Sequence, residues 1–196
     1  MSRFLLSCFA LLVCACSAAP DPNAVPMSER LDTTESTQDG LRVVRFDVNR
    51  DQRPNIWKYY KDVPGPDGRM LEIMVRKELD LNADGHVDVI RHYDEQGKVT
   101  KEELDLSFDR RIDVINYFED GVLVRAEMDL NFDGVPDLFR YYRQGKLVRL
   151  ERDTNFNGQI DYWEYYEEGR LDRVGYDISG DGQIDRMDRR KSAEDE

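Results

Sequence analysis

Beyond position 16 the chain has no cysteine; its three, Cys8, Cys14 and Cys16, all fall in the first sixteen residues. Disulfides cannot staple the remainder, which must find an adequate core or another cross-link. Histidine is almost as scarce, with only His86 and His92. There is no thiol nucleophile, zinc spacing, serine–histidine arrangement or phosphate-cradling glycine loop, so an enzyme is not expected. Cationic excess is also missing: 28 Lys and Arg stand against 41 Asp and Glu, a net charge of −13. That balance argues against nucleic acid and bare anionic membranes as partners and favours cations. No segment keeps a helical period, and no long apolar run follows the first sixteen residues.

Those sixteen, MSRFLLSCFALLVCAC, read as an export signal: Arg3 is the positive start and Phe4 to Val13 an apolar stretch too short to span a bilayer. Val13-Cys14-Ala15-Cys16 resembles the lipobox of bacterial lipoproteins, in which the cysteine after a small residue is acylated and becomes the mature N-terminus. The resemblance implies that residues 1–15 are removed and Cys16 is lipidated. The alternative frame, ending at Cys14, puts Val13 at the cleavage position and fits less well. Ser17 rather than aspartate resembles an outer-membrane address. Several acyl chains on one cysteine would anchor the protein stably. Residues 16–40, rich in Pro, Ser, Thr and acids, read as a lipidated flexible tether, 41–190 as one domain and 191–196 as a disordered acidic tail. Loss of Arg3 takes the charge to −14 (−13 − 1).

Within the domain a loop recurs. It starts at Asp47, Asp80, Asp105, Asp129, Asp153 and Asp177, and from the second start the intervals are 25, 24, 24 and 24 residues. A fixed period is the mark of a repeat architecture. Each unit reads loop, strand, turn, strand; Asp120-Gly121, Gln144-Gly145 and Glu168-Gly169 have tight-hairpin chemistry. The expected fold is all-β: an antiparallel meander of about six 24-residue units, twisted or curled and partly closing on itself, with the acidic loops along one edge. Period-2 alternation places Trp57, Ile90, Ile115, Phe139 and Trp163 on one face with Leu79, Leu104 and Met128. It places Glu78, Glu103, Glu127 and Glu151, with Arg76, Lys101, Arg125, Arg149 and Arg173, on the other. Asp185 to Arg190, where charges replace aromatics, looks like a polar capping repeat.

The loops follow D-x-[NS]-x-[DN]-x-x-x-D. Side-chain oxygens stand at the first, third, fifth and ninth positions, and a backbone carbonyl is available at the seventh. Calcium takes six to eight such oxygens in a forgiving geometry, and short Asp and Asn side chains suit it. Glycine at the sixth position (Gly85, Gly134, Gly158, Gly182) permits the sharp turn. The candidate ligands are Asp80, Asn82, Asp84, His86 and Asp88; Asp105, Ser107, Asp109, Arg111 and Asp113; Asp129, Asn131, Asp133, Val135 and Asp137; Asp153, Asn155, Asn157, Gln159 and Asp161; and Asp177, Ser179, Asp181, Gln183 and Asp185. His86, Arg111, Val135, Gln159 and Gln183 would contribute carbonyls. The loop at Asp47, with Gln52 and Asn55, reads as weakened or metal-free.

These loops resemble those of the thrombospondin type 3, dockerin, EF-hand and FG-GAP groups, which bind calcium; the nine-residue FG-GAP-like form is nearest. Segments such as Tyr142-Arg-Gln-Gly145-Lys-Leu147 resemble MORN-like repeats of bacterial surface proteins. The resemblance implies about four to five calcium ions. Asp/Asn/Gly turns without any metal are the competing reading of the same residues. The expected function is a lipid-anchored, calcium-binding structural or interaction protein of the bacterial outer membrane or cell surface. Two alternatives are a glycan-binding lipoprotein, using Tyr60, Tyr93, Phe118, Tyr142 and Tyr166, and an accessory subunit of an envelope secretion, motility or assembly complex.

Overall fold

The structure, a computed structural model, describes residues 30–37 and 39–189, with no account of side chains in 30–36. The export signal, Cys16, most of the tether and the tail lie outside the described residues.

Every regular element among the described residues is a strand: β1 (Arg30–Ser36), β2 (Arg42–Phe46), β3 (Ile56–Pro64), β4 (Met70–Leu79), β5 (Val89–Tyr93), β6 (Val99–Leu104), β7 (Val114–Glu119), β8 (Val122–Met128), β9 (Leu138–Arg143), β10 (Lys146–Arg152), β11 (Tyr162–Glu167), β12 (Arg170–Tyr176) and β13 (Arg186–Arg189). They form one antiparallel sheet in strict sequence order. The all-β repeat meander is therefore as expected. The expected partial closure is not: β1 and β13 are opposite edges, and the strands contact chiefly their neighbours in sequence. The sheet also starts earlier than the composition implied, because β1 lies within the stretch read as tether.

Local chemistry explains the hairpins. Asp120-Gly121, Gln144-Gly145 and Glu168-Gly169 have positive φ at both central residues, the backbone of a two-residue turn whose twist matches the strands. Each hairpin carries a register shift. Tyr117 pairs Arg125 but Phe118 pairs Leu123, so Val124 is unpaired. Thr100, Val148 and Asp172 are skipped in the same way. One extra residue per hairpin makes two adjacent aromatics, such as Tyr59-Tyr60, each pair across the ladder, and adds local twist.

The faces differ from the expected division. Ile90 pairs Glu78 and Glu103, Phe139 pairs Glu127 and Glu151, and Tyr141 pairs Arg125 and Arg149. Directly paired residues share a face, so the Glu and Arg ladder lies among the aromatics. Leu79, Val89, Leu104, Val114, Met128 and Leu138 occupy the opposite face. Among the described residues no second layer covers either face, and each mixes apolar and charged residues. On the aromatic face the mixture is cross-linked. Arg125 bridges to Glu127 at 2.5 Å and lies 5.6–5.7 Å from the rings of Tyr117, Phe139 and Tyr141. Arg149 sits 4.1 Å from the Tyr141 ring, whose hydroxyl donates to Glu151 at 2.9 Å. Long side chains lying over rings cover apolar surface that a single-layer sheet would leave wet.

The largest fully buried side chains are not apolar: they are Asp88, Asp105 and Asp153, and Asp47, Asp80, Asp113, Asp129 and Asp137 are also buried. They form a row at the loop edge through which the ladder continues: Asp105 N donates to the Asp88 carbonyl, Asp129 N to Asp113, and Asp153 N to Asp137, each at 2.8 Å. Burial fades toward the end of the chain, where Asp185 and all of β13 are exposed, as a polar capping unit requires.

Candidate metal sites

Each loop joins two neighbouring strands at the end opposite the tight turns, and its backbone explains why the aspartates are inside. The first carboxylate turns back over the loop and accepts its amides. Asp129 takes Phe132 N at 2.7 Å and Asp133 N at 3.3 Å on Oδ1, and Gly134 N at 2.7 Å on Oδ2. Asp153 takes Asn155 N, Phe156 N and Gly158 N, and Asp177 takes Gly180 N and Gly182 N. The ninth carboxylate reaches across to the loop's start. Asp137 accepts Leu130 N and Asn131 N, Asp113 accepts Leu106 N and Ser107 N, and Asp88 accepts Leu81 N. In every loop from the second to the sixth, the first and ninth carboxylates thus both accept amides of the same loop.

The third and fifth positions divide by residue type. Asn82 and Asn131 donate Nδ2 to Asp84 and Asp133, while Asn155 donates to Asp161. Ser107 Oγ lies between Asp105 and Asp113, at 3.3 and 3.4 Å. Each fifth side chain, exposed, caps the seventh amide: Asp84 to His86 N, Asp109 to Arg111 N, Asp133 to Val135 N, Asn157 to Gln159 N and Asp181 to Gln183 N, at 2.8–2.9 Å. The His86 side chain is exposed, and His92 is engaged by Glu103 at 3.0 Å.

A carboxylate offers about four acceptor sites, so one or two amide bonds leave lone pairs for a cation. Asp105, Asp109 and Asp113 bring one oxygen each within 4.8 Å of one another, the one such trio among the described residues. There the short Ser107 replaces the asparagine that engages the fifth carboxylate in the second and fourth loops. That trio has a tethered competitor, since Arg111 Nε and Nη2 lie 2.9 and 2.6 Å from Asp109 Oδ2. The guanidinium and the Arg111 amide hold the Asp109 carboxyl below the usual range. The second loop supplies the test of fit. Asp80 is 7% exposed, Oδ2 accepts Gly85 N at 2.8 Å, and Oδ1 is buried with no partner at all. An orphaned carboxylate oxygen in a loop of this donor set fits a hard cation.

The loop at Asp47 folds like the others: Asp47 accepts Arg50 N and Gln52 N, and Asn55 Oδ1 takes Val48 N where an aspartate stands elsewhere. Two features of the loops were not anticipated. The fourth residue is left-handed in every loop, with φ of 60–65° at Arg50, Ala83, Phe108, Phe132 and Phe156. The loops also expose apolar side chains at the second and fourth positions. The glycan candidates are paired with aliphatic residues, Tyr60 with Met74, Tyr93 with Val99, Phe118 with Leu123, Tyr142 with Leu147 and Tyr166 with Leu171. They occupy the Leu79 face, not the one bearing Glu78.

No family model and no curated protein sequence matches the chain. The crystal structure of accessory secretory protein 1,2 and 3 in Streptococcus pneumoniae aligns at 15% identity and a TM-score of 0.28. The alignment covers 60% of this chain and 19% of that one, a likeness too slight to carry an argument.

Proposed function

We propose that this chain is a non-catalytic, calcium-binding structural and interaction protein, lipid-anchored through Cys16 at the bacterial outer membrane. The observation that carries the metal reading is the buried aspartate row, with Asp80 Oδ1 lacking any donor. Amide donors cap the eight aspartates buried side by side, but few cations offset the repulsion between them, so added positive charge would stabilise the row further. Four to five calcium ions supply it; five would bring the mature charge from −14 to −4 (−14 + 5 × 2). The second, fourth, fifth and sixth loops have the full ligand set. In the third, Arg111 occupies part of the same space and weakens the site. Affinities fall at roughly 10⁻⁴ to 10⁻³ M, the range of extracellular modules.

The lipid reading rests on the Cys16 motif. The partner is an envelope protein or glycan, and nucleic acid is not expected. Equilibrium dialysis against radioactive calcium tests the first part: four to five ions per chain are expected, and fewer than one would end the metal reading. The mass of the purified mature N-terminus tests the second, with acylated Cys16 expected and an unmodified residue refuting the anchor.

A further inference from the structure

The edge that carries the acidic loops also carries most of the large apolar side chains the sheet leaves in water. Leu106, Leu130 and Ile178 stand at the second loop position and Phe108, Phe132 and Phe156 at the fourth, with exposures from 38% at Leu130 to 68% at Ile178. The three phenylalanines have φ of 60–62°, a conformation rare for bulky residues. Successive loops lie two strands apart, about 10 Å, so the side chains make a narrow apolar ridge in steps of that size. Each step is flanked by the carboxylates of its own loop.

The path of the chain says what the ridge faces. Arg30, the first residue of β1, pairs with Phe46, the residue immediately before the first loop. The chain therefore joins the sheet at the loop edge and not at the turn edge. Thirteen residues, 17–29, separate Arg30 from Cys16, a span of at most about 50 Å. A lipid on Cys16 would keep the loop edge within about 50 Å of the bilayer that the lipid enters. A second copy of the chain is a poor occupant, because it would press one acidic rim against another.

We infer that the ridge is a membrane-docking surface: its Leu and Phe side chains enter the headgroup–acyl boundary of a bilayer, and calcium in the loops joins their carboxylates to lipid phosphates. The inference rests on the calcium and lipid-anchor readings above. A protruding line of apolar side chains needs a yielding surface, and a fluid interface accommodates one without a matching groove. The net negative charge that argues against anionic lipid is reduced locally once ions sit in the loops, from −3 to −1 (−3 + 2) in the second, fourth and sixth, and each bound ion is itself a local positive charge for a lipid phosphate.

The test places a tryptophan on the ridge (Phe132→Trp) or on the turn edge (Lys146→Trp) of the full chain, in vesicles of phosphatidylcholine and phosphatidylglycerol. Emission is read with and without brominated acyl chains, in calcium and in chelator, and the signal of Trp57 and Trp163 is subtracted using the unsubstituted protein. In calcium the emission added by Phe132→Trp is expected to shift to the blue and to be lost to the brominated lipid; that added by Lys146→Trp is not. If calcium raises the melting temperature but the ridge tryptophan stays unquenched, the membrane surface is refuted while the metal reading stands. If calcium leaves the melt unchanged, the metal reading fails and takes the cation-bridged surface with it. Quenching that persists in chelator would refute the bridging role of the ion.

Discussion

Replacing Asp137 by alanine separates what the buried row contributes as a cap from what it contributes as a metal ligand. Asp137 is 2% exposed, and its Oδ2 accepts Leu130 N at 2.8 Å and Asn131 N at 3.3 Å. Alanine keeps the backbone bonds on either side, Asp137 N to Met128 O and Asp153 N to Asp137 O. It removes two charge-assisted bonds, one of good length and one weak; at about 1.5–3 kcal/mol for the first and less for the second, the loss in chelator is roughly 2–3 kcal/mol. For a domain of this size that lowers the melting temperature by roughly 5–10 °C. In 1 mM calcium, an ion held at about 10⁻⁴ M would add roughly 1.4 kcal/mol to the unsubstituted protein and not to the variant. The assay is paired thermal denaturation in both buffers, with Asp133→Ala as comparator: Asp133 is exposed, so its loss in chelator is expected below about 1 kcal/mol. Asp137→Ala within about 0.5 kcal/mol of the unsubstituted protein in chelator, the scale of an ordinary surface change, would refute the buried-cap account. An equal deficit in both buffers would refute calcium at the fourth loop.

Removing residues 129–152, one whole unit from loop to β10, should leave a folded sheet with two fewer strands, because each strand contacts chiefly its neighbours; loss of the β signal in circular dichroism would refute the repeat. Acid should destabilise the protein in chelator. Amide and side-chain donors outweigh burial in holding the Glu103, Asp177 and Asp185 carboxyls below their ordinary values. A depressed folded value means stability that is complete above the unfolded values of about 3.9–4.3 and lost as pH falls through the lower folded ones. The melting temperature should hold down to about pH 5 and drop steeply below about pH 4; a rise there would reverse the sign. Lys77→Met should stabilise, since burial and the neighbouring Lys58 and Arg91 push the ammonium down from its usual value. The gain, at most about 1 kcal/mol after solvent screening, should shrink as pH rises toward the lysine range, and a lower melting temperature at pH 7 would contradict it.

The repeat, the loops and the hairpins were all legible in the residues, because each is written in local chemistry. Asp120-Gly121 specifies its turn whatever surrounds it, and a carboxylate eight residues from another can close a loop in isolation. The division of the faces was not legible. Alternation says that Glu78 and Leu79 oppose each other, and likewise Val89 and Ile90. It does not say whether Ile90 shares a face with Leu79 or with Glu78. That phase is set by the loop, which pairs Leu79 with Val89 and Glu78 with Ile90. Grouping apolar residues together presupposes one buried face, and a single-layer sheet has none. The left-handed fourth residue was hidden for a related reason: Phe108, Phe132 and Phe156 are not residues chosen for positive φ, and the caps from Asp105, Asp129 and Asp153 impose it. β1 was missed because its composition, RLDTTES, matches the polar stretch before it.

The measurement that bears most directly on the central claim is the thermal melt of the protein, followed by circular dichroism, in calcium, in magnesium and in chelator. A large upward shift in calcium, accompanied by gain of β signal and not reproduced by magnesium, is the predicted result. Identical melts in all three would contradict the account: the aspartate row would then be a set of self-capped turns, and the loop edge would owe nothing to a metal.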